Sequence, residues 1–226
     1  MKPIYKPKGA AGEYGEYALN IYSGCPHSCF YCYVPSVLHK DRSKFHSVIE
    51  PRKNIVEETR KQLEREKLTG KTIHLCFTCD PYPTGCDTST TREIIKLLKE
   101  YGNHVQILTK SIECKDFDLL DSNDWFGITV DGMKEADLYY SNFNLLSYVR
   151  QLGIKTWVSF EPVIVPENVY DCIAKYHSLI DMAKIGKLNY HKSNVDWNLF
   201  GHNVEALCKE LGVNYYIKDS LRKEMQ

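Results

Sequence analysis

Six times between residues 18 and 218, a short apolar or β-branched run gives way to a longer amphipathic one. This alternation restricts the fold more than any other feature of the chain. The runs at 19–23, 72–78, 104–110, 126–131, 155–163 and 181–188 read as strands, with a last apolar strand at 214–218. The stretches at 48–67, 91–102, 135–153, 166–180 and 200–212 read as helices, with a short one at 115–121 and Pro51 marking the expected start of the first. Strands that are apolar on both sides of the pleat and separated by helices predict a parallel sheet covered by helices. A doubly wound sheet and a barrel both satisfy that pattern, and the polar residues decide between them. Ser23, Asp80, Lys110, Thr129, Glu161 and Lys187 fall at or just beyond the carboxyl ends of successive strands, and in a barrel those ends converge on one mouth. The expectation is an α/β fold, a partial (β/α)6 TIM-type barrel. It forms a single domain over 1–226, with 1–17 an N-terminal extension and 200–226 supplying a last helix and a short strand.

Composition excludes some classes. With 43% hydrophobic residues in 226, the chain has apolar surface enough for a sizeable core, so it is not a disordered segment. The 29 basic residues balance the 29 acidic ones, which gives no reason to expect non-specific adhesion to nucleic acid or membrane and restricts any such contact to a local groove. The opening MKPIYKPKGA lacks the apolar core of a signal peptide, and no stretch has the roughly 18 apolar residues of a membrane span. A cytoplasmic protein is expected, with no membrane partner. Nine cysteines in such a chain point to metal ligation or thiol chemistry rather than a disulfide framework.

Three of those cysteines fall within eight residues. Cys25, Cys29 and Cys32 in GCPHSCFYCY have the spacing C-x-x-x-C-x-x-C in the loop after the first strand. Thiolates select zinc, copper(I) or iron–sulfur clusters. Structural zinc closes its tetrahedron with a fourth ligand, here His27 or a distant cysteine, and a four-iron cluster ordinarily takes four thiolates. Three thiolates on a four-iron cube leave one iron able to bind an exogenous ligand.

GCPHSCFYC resembles the signature of the radical S-adenosylmethionine (radical SAM) superfamily. The resemblance implies that Cys25, Cys29 and Cys32 hold a 4Fe–4S cluster whose fourth iron is chelated by S-adenosylmethionine. The reduced cluster then cleaves the sulfonium to a 5′-deoxyadenosyl radical that abstracts hydrogen from a substrate. It implies the partial barrel of the radical SAM core, an enzyme of lyase or oxidoreductase type, and a one-electron reductant such as flavodoxin or ferredoxin. Tyr31, before the third cysteine, stands where an aromatic lies against the adenine.

From LNIYSGC to its end the chain is similar to the spore photoproduct lyase-like branch, which also holds proteins described as DNA repair photolyases. TCD (78–80), ILTK (107–110) and GITVD (127–131) are similar to segments of that branch. These imply cofactor contacts for Cys79, Asp80, Lys110 and Thr129, with Lys110 paired to the cofactor carboxylate. Cys79, Lys110 and Glu161 are the catalytic candidates. The branch points towards a nucleic acid or nucleotide-derived substrate. A monomer is expected.

One departure stands out. The branch's hydrogen-donating cysteine aligns with Phe77, one residue from Cys76, and a one-residue offset turns a strand side chain to the other face. Thymine-dimer repair is therefore not carried over. Bland readings stand beside these: Lys110 as a surface lysine with its ammonium in water, Thr129 as an ordinary strand former, and Glu161 as half of an ion pair with Lys184 or Lys187. Cys76, Cys79 and Cys86 form a weak hint of a second metal centre. Cys114, Cys172 and Cys208, in predicted helices, read as packing residues. A non-enzymatic zinc or redox-sensing domain, and a radical subunit acting on a peptide or small molecule with a partner, are the rival functions.

Overall fold

The computed structural model describes residues 2–226. The chain divides into two compact units, Met1–Trp125 and Phe126–Gln226. The first contains strands β1 (Ile4–Tyr5), β2 (Tyr17–Leu19) and β3 (Tyr22–Ser23), short helices α1 (Val34–Val37) and α2 (Arg42–Ser47), then β4 (Glu50–Pro51), α3 (Ile55–Glu66), β5 (Thr72–Leu75), α4 (Ser89–Glu100) and β6 (His104–Thr109). Strands β2, β5 and β6 are parallel neighbours, in register at Leu19 with Leu75 and Leu75 with Ile107. Ala18, Leu19, Ile73, Leu75, Val105 and Ile107 are fully buried beneath Leu63 of α3 and Ile94, Ile95 and Leu98 of α4, as the apolar faces of those helices require. Residues 1–17, read as an extension, contain β1, which adds antiparallel to β2. Its backbone is satisfied by a buried amide: Gln62 accepts from Ile4 N and donates to Ile4 O, both at 2.8 Å.

Two expected elements differ in informative ways. The strand expected at 19–23 is broken at Asn20. The Asn20 Oδ1 accepts from Phe77 N at 2.8 Å and Thr78 N at 2.9 Å, while β3 turns away to pair antiparallel with β4. The strand expected to reach 78 stops at Leu75, because Cys76 adopts φ +71°, outside the extended region. Pro51 lies in β4 rather than at a helix start, and α3 begins four residues later, after Asn54 at φ +53°.

The second unit contains β7 (Trp125–Thr129), whose first residue is the last of the first unit, then α5 (Tyr140–Gln151), β8 (Lys155–Phe160), α6 (Pro166–Tyr176), β9 (Met182–Ile185), α7 (Trp197–Glu210), β10 (Tyr215–Ile217) and α8 (Asp219–Arg222). Its strands lie in the order β7, β8, β9, β10, with β8, β9 and β10 parallel. Phe126, Ile128, Val158, Phe160, Ala183 and Ile185 are fully buried. The helix expected at 115–121 is only a 3-10 turn, Phe117–Leu119, so Cys114 sits in a loop with its thiol 3.6 Å from Ser111 O. Cys172 and Cys208 are buried in α6 and α7, as expected.

Candidate active site

The cysteine loop leaves β3 through Gly24, and only a glycine fits there. Its φ is +90°, and an added Cβ would stand 2.1 Å from Val48 O and 2.8 Å from Phe45 O. Cys25 N donates to Phe45 O at 3.2 Å and Cys32 N to Cys29 O at 2.9 Å, closing the loop on itself. All three thiols are free and half-buried. Burial pushes the Cys25 thiol up to about 12 and also raises that of Cys32, so a metal taken up here must displace protons from reluctant thiols.

Across from the loop lies the segment after β5. Asp80 is buried and accepts three hydrogen bonds, from Tyr82 N at 2.8 Å and Thr109 Oγ1 at 2.7 Å on one oxygen and from Lys110 N at 2.9 Å on the other, which also lies 3.1 Å from His27 Nε2. Burial alone would raise its carboxyl, but His27, the Lys110 amide and the Thr109 hydroxyl outweigh burial and hold it below the ordinary aspartate value. One carboxylate thereby ties the cysteine loop, through His27, to the ends of β5 and β6. Lys110 follows β6 and donates to the Tyr31 hydroxyl at 2.7 Å, its ammonium 5.3 Å from the centre of that ring. Cys79 Sγ accepts from Tyr22 N at 3.4 Å. Cys76 is buried, and burial raises its thiol well above the usual value, with Cys79 adding to the shift. The turn that carries both cysteines is held by Asn20, by Tyr33 donating to Phe77 O at 3.1 Å, and by Arg52 donating to Thr78 Oγ1 at 3.0 Å.

Five of the sequence-derived candidates thus meet around the loop: Tyr31, Cys79, Asp80 and Lys110 beside the cysteines, with His27 as the link. Thr129, half-buried at the end of β7, and Glu161, just past β8, belong to the second unit. There Glu161 pairs at 2.6 Å with Lys218, while Lys187 pairs with Glu224 and Lys184 lies over the Trp157 ring. Lys218 was not legible as a partner because it follows a strand 57 residues further on. Arg42 and His46 were missed altogether. Arg42 donates to the carbonyls of Cys29, Phe30 and Cys32, and His46 Nδ1 to that of Cys25 at 2.7 Å. In the sequence they look like the solvated face of a short basic helix.

The donor set can be tested against the metals it might take. Among the described residues, the only three potential ligand atoms all within 4.8 Å of one another are those of His104, Asp121 and Asp124. The loop at Cys25, Cys29 and Cys32 offers three free, half-buried thiols, a soft donor set of the kind that iron–sulfur centres take. The His104 set is already served by a cation, since Lys99 Nζ lies 2.6 Å from both Asp121 and Asp124.

A family model described as the Radical SAM superfamily matches residues 19–180. The chain belongs to the radical SAM superfamily. Radical SAM proteins work with a 4Fe–4S cluster and S-adenosylmethionine, the cofactors expected from the sequence, and are enzymes. No curated protein matches this sequence. Among solved structures, a variant of spore photoproduct lyase with bound AdoMet and dinucleoside spore photoproduct is 12% identical, over 93% of this chain and 78% of that one, with a TM-score of 0.70. Spore photoproduct lyase complexed with dinucleoside spore photoproduct is 13% identical over 94% and 80%, with a TM-score of 0.69. Streptococcus suis SuiB bound to S-adenosylmethionine is 10% identical over 88% of this chain and 45% of that one, with a TM-score of 0.62. At such identities the likeness concerns the fold, and the α/β partial barrel of the radical SAM core is the fold expected here. No helix among the described residues is long and apolar enough to cross a membrane.

Proposed function

We propose that Cys25, Cys29 and Cys32 hold a 4Fe–4S cluster with one iron open to S-adenosylmethionine. The chain then performs radical chemistry on a nucleic acid or nucleotide-derived substrate. The observation that carries this reading is the seating of the loop: three thiols on eight residues, tethered by His27 to the buried Asp80, with Lys110 and Tyr31 beside them. When bound there, the cluster would supply the one-electron chemistry that cleaves S-adenosylmethionine reductively.

The protein's own groups do the rest by position. Lys110 would offer its ammonium to the cofactor carboxylate, a charge-assisted bond that would fix one end of the molecule. Tyr31 holds that ammonium in place through its hydroxyl and offers its ring to the adenine. Asp80 acts as a positioning residue: it fixes the Lys110 backbone and, through His27, the cysteine loop. Cys79 holds a thiol at the same edge, its Sγ accepting from Tyr22 N. Support for the substrate class comes from the likeness to spore photoproduct lyase, which is solved with a dinucleoside photoproduct, and the reductant is a one-electron carrier such as flavodoxin or ferredoxin.

Anaerobic reconstitution tests the reading. The chain is expected to bind about four irons and, with dithionite and S-adenosylmethionine, to release 5′-deoxyadenosine. Replacing Cys25, Cys29 and Cys32 together by Ala should abolish both. Stoichiometric zinc with no 5′-deoxyadenosine would overturn it in favour of a zinc module.

A further inference from the structure

We propose that Arg42, assisted by His46, is a positioning residue for the cluster: its guanidinium gathers the backbone carbonyls of the ligand loop on one side, leaving the three thiols to converge on the other. The inference rests on the cluster reading above and adds residues to it that lie outside the cysteine motif. A loop carrying three ligands in eight residues has little room for a regular hydrogen-bond ladder, so its carbonyl oxygens need donors from elsewhere. Carbonyls turned inward would also face a centre that three thiolates make anionic, which is unfavourable.

The structure supplies those donors from one element. Arg42 Nη1 donates to Cys32 O at 3.1 Å and Nη2 to Phe30 O at 3.1 Å, with Nη2 also donating to Cys29 O. His46 Nδ1 donates to Cys25 O at 2.7 Å. Between them the two side chains take the carbonyls of all three ligand cysteines and of Phe30, one of the two residues between the second and third. Helix α2, which carries both, is itself anchored. Asp41 caps it by accepting from Lys44 N at 2.8 Å, Phe45 is buried, and Phe45 O accepts from Cys25 N. A guanidinium suits this task because its five donors lie in one rigid plane, whereas a lysine ammonium is a single mobile point charge. The arrangement is the backbone counterpart of the outer groups that orient metal ligands, whose loss typically weakens metal binding about 10- to 100-fold.

The test compares the parent chain with Arg42→Gln and Arg42→Lys, each full length and anaerobically reconstituted. Iron release to a chelator is followed by absorbance, and amide exchange over residues 24–33 is measured in the iron-free chains by mass spectrometry. Expected are iron release about 10- to 100-fold faster in both variants, faster exchange in the loop, and an unchanged thermal midpoint, since Arg42 is exposed. If Arg42→Lys behaves as the parent, charge alone suffices and the clamp is overturned. A parent that binds four irons and variants that match it in release and exchange overturn the clamp and leave the cluster reading intact. A parent that takes up zinc or no iron overturns the cluster reading, and the clamp with it, whatever the exchange shows.

Discussion

The ammonium of Lys218, 2% exposed, lies 2.6 Å from the carboxylate of Glu161, 15% exposed. The pair ties the end of β10 to the end of β8, and Gly186 past β9 makes room for it, since a Cβ there would stand 2.8 Å from the Glu161 carboxyl carbon. Two charges withdrawn from water hold each other, and removing one takes away the attraction while the other keeps its desolvation cost. Lys218→Met is therefore expected to lower stability by about 3–5 kcal/mol, and the double change Lys218→Met with Glu161→Gln to recover most of that loss. Urea unfolding midpoints at constant slope measure both; a single variant as stable as the parent would mean that the pair is hydrated and contributes little.

Much of this was visible beforehand. The β/α alternation follows from burial on both faces of short strands, so the strands at 104–110 and 155–163 appear within a few residues of their expected places. The metal-ligand motif is local, and so is the polar residue at each strand end, which is why Asp80 and Lys110 were named. What escaped was held by long-range contacts or by backbone conformation. No propensity says that Asn20 will give its side chain to the amides of 77 and 78, or that a buried cysteine at 76 will turn to positive φ. Arg42 carries no signal, because a basic residue on a short helix looks the same whether it faces water or three carbonyls. Glu161 was matched to lysines near in sequence, whereas the fold brings Lys218 to it.

Lys110 and Tyr31 meet at 2.7 Å through ammonium and phenol oxygen. If the ammonium serves the carboxylate of S-adenosylmethionine, Lys110→Met should weaken cofactor binding more than Tyr31→Phe does. The first removes the charge itself, the second only the oxygen that steadies it. Hydrogen bonds to charged groups contribute about 1.5–3 kcal/mol, so a loss of roughly tenfold or more is expected for Lys110→Met. Isothermal titration of the reconstituted protein reads both, and equal affinities in all three proteins would remove Lys110 from the cofactor site.

Asp181 gives a dependence on pH with a definite sign. Burial alone would raise its carboxyl, but the Arg150 guanidinium and the Thr156 amide, at 2.9 Å, outweigh burial and hold it below the ordinary value. A depressed carboxyl contributes stability that is complete above the unfolded pKa of about 3.9 and is lost as pH falls through the lower folded value. Asp181→Asn should therefore reduce stability near neutrality and flatten the loss below about pH 4. Thermal midpoints of parent and variant from pH 3 to 7 check this, and parallel curves would show that the carboxyl is not engaged in solution.

Gly24 sets the path of the ligand loop. Its φ of +90° disfavours any side chain, and the atoms a Cβ would strike, Val48 O at 2.1 Å and Phe45 O at 2.8 Å, are both backbone and cannot swing aside as the end of a side chain would. Those two carbonyls belong to α2 and the residue that follows it, so relieving the clash moves either Cys25 or the helix that carries Arg42 and His46. Gly24→Ala is thus expected to lower both stability and iron uptake, the latter more than the former, because the loop can shift outward without unfolding the sheet beneath it. Iron content after reconstitution, set against the urea midpoint of the iron-free chain, separates the two effects. A Gly24→Ala chain that binds iron as the parent does would show that the ligand loop can follow a second path to the same centre.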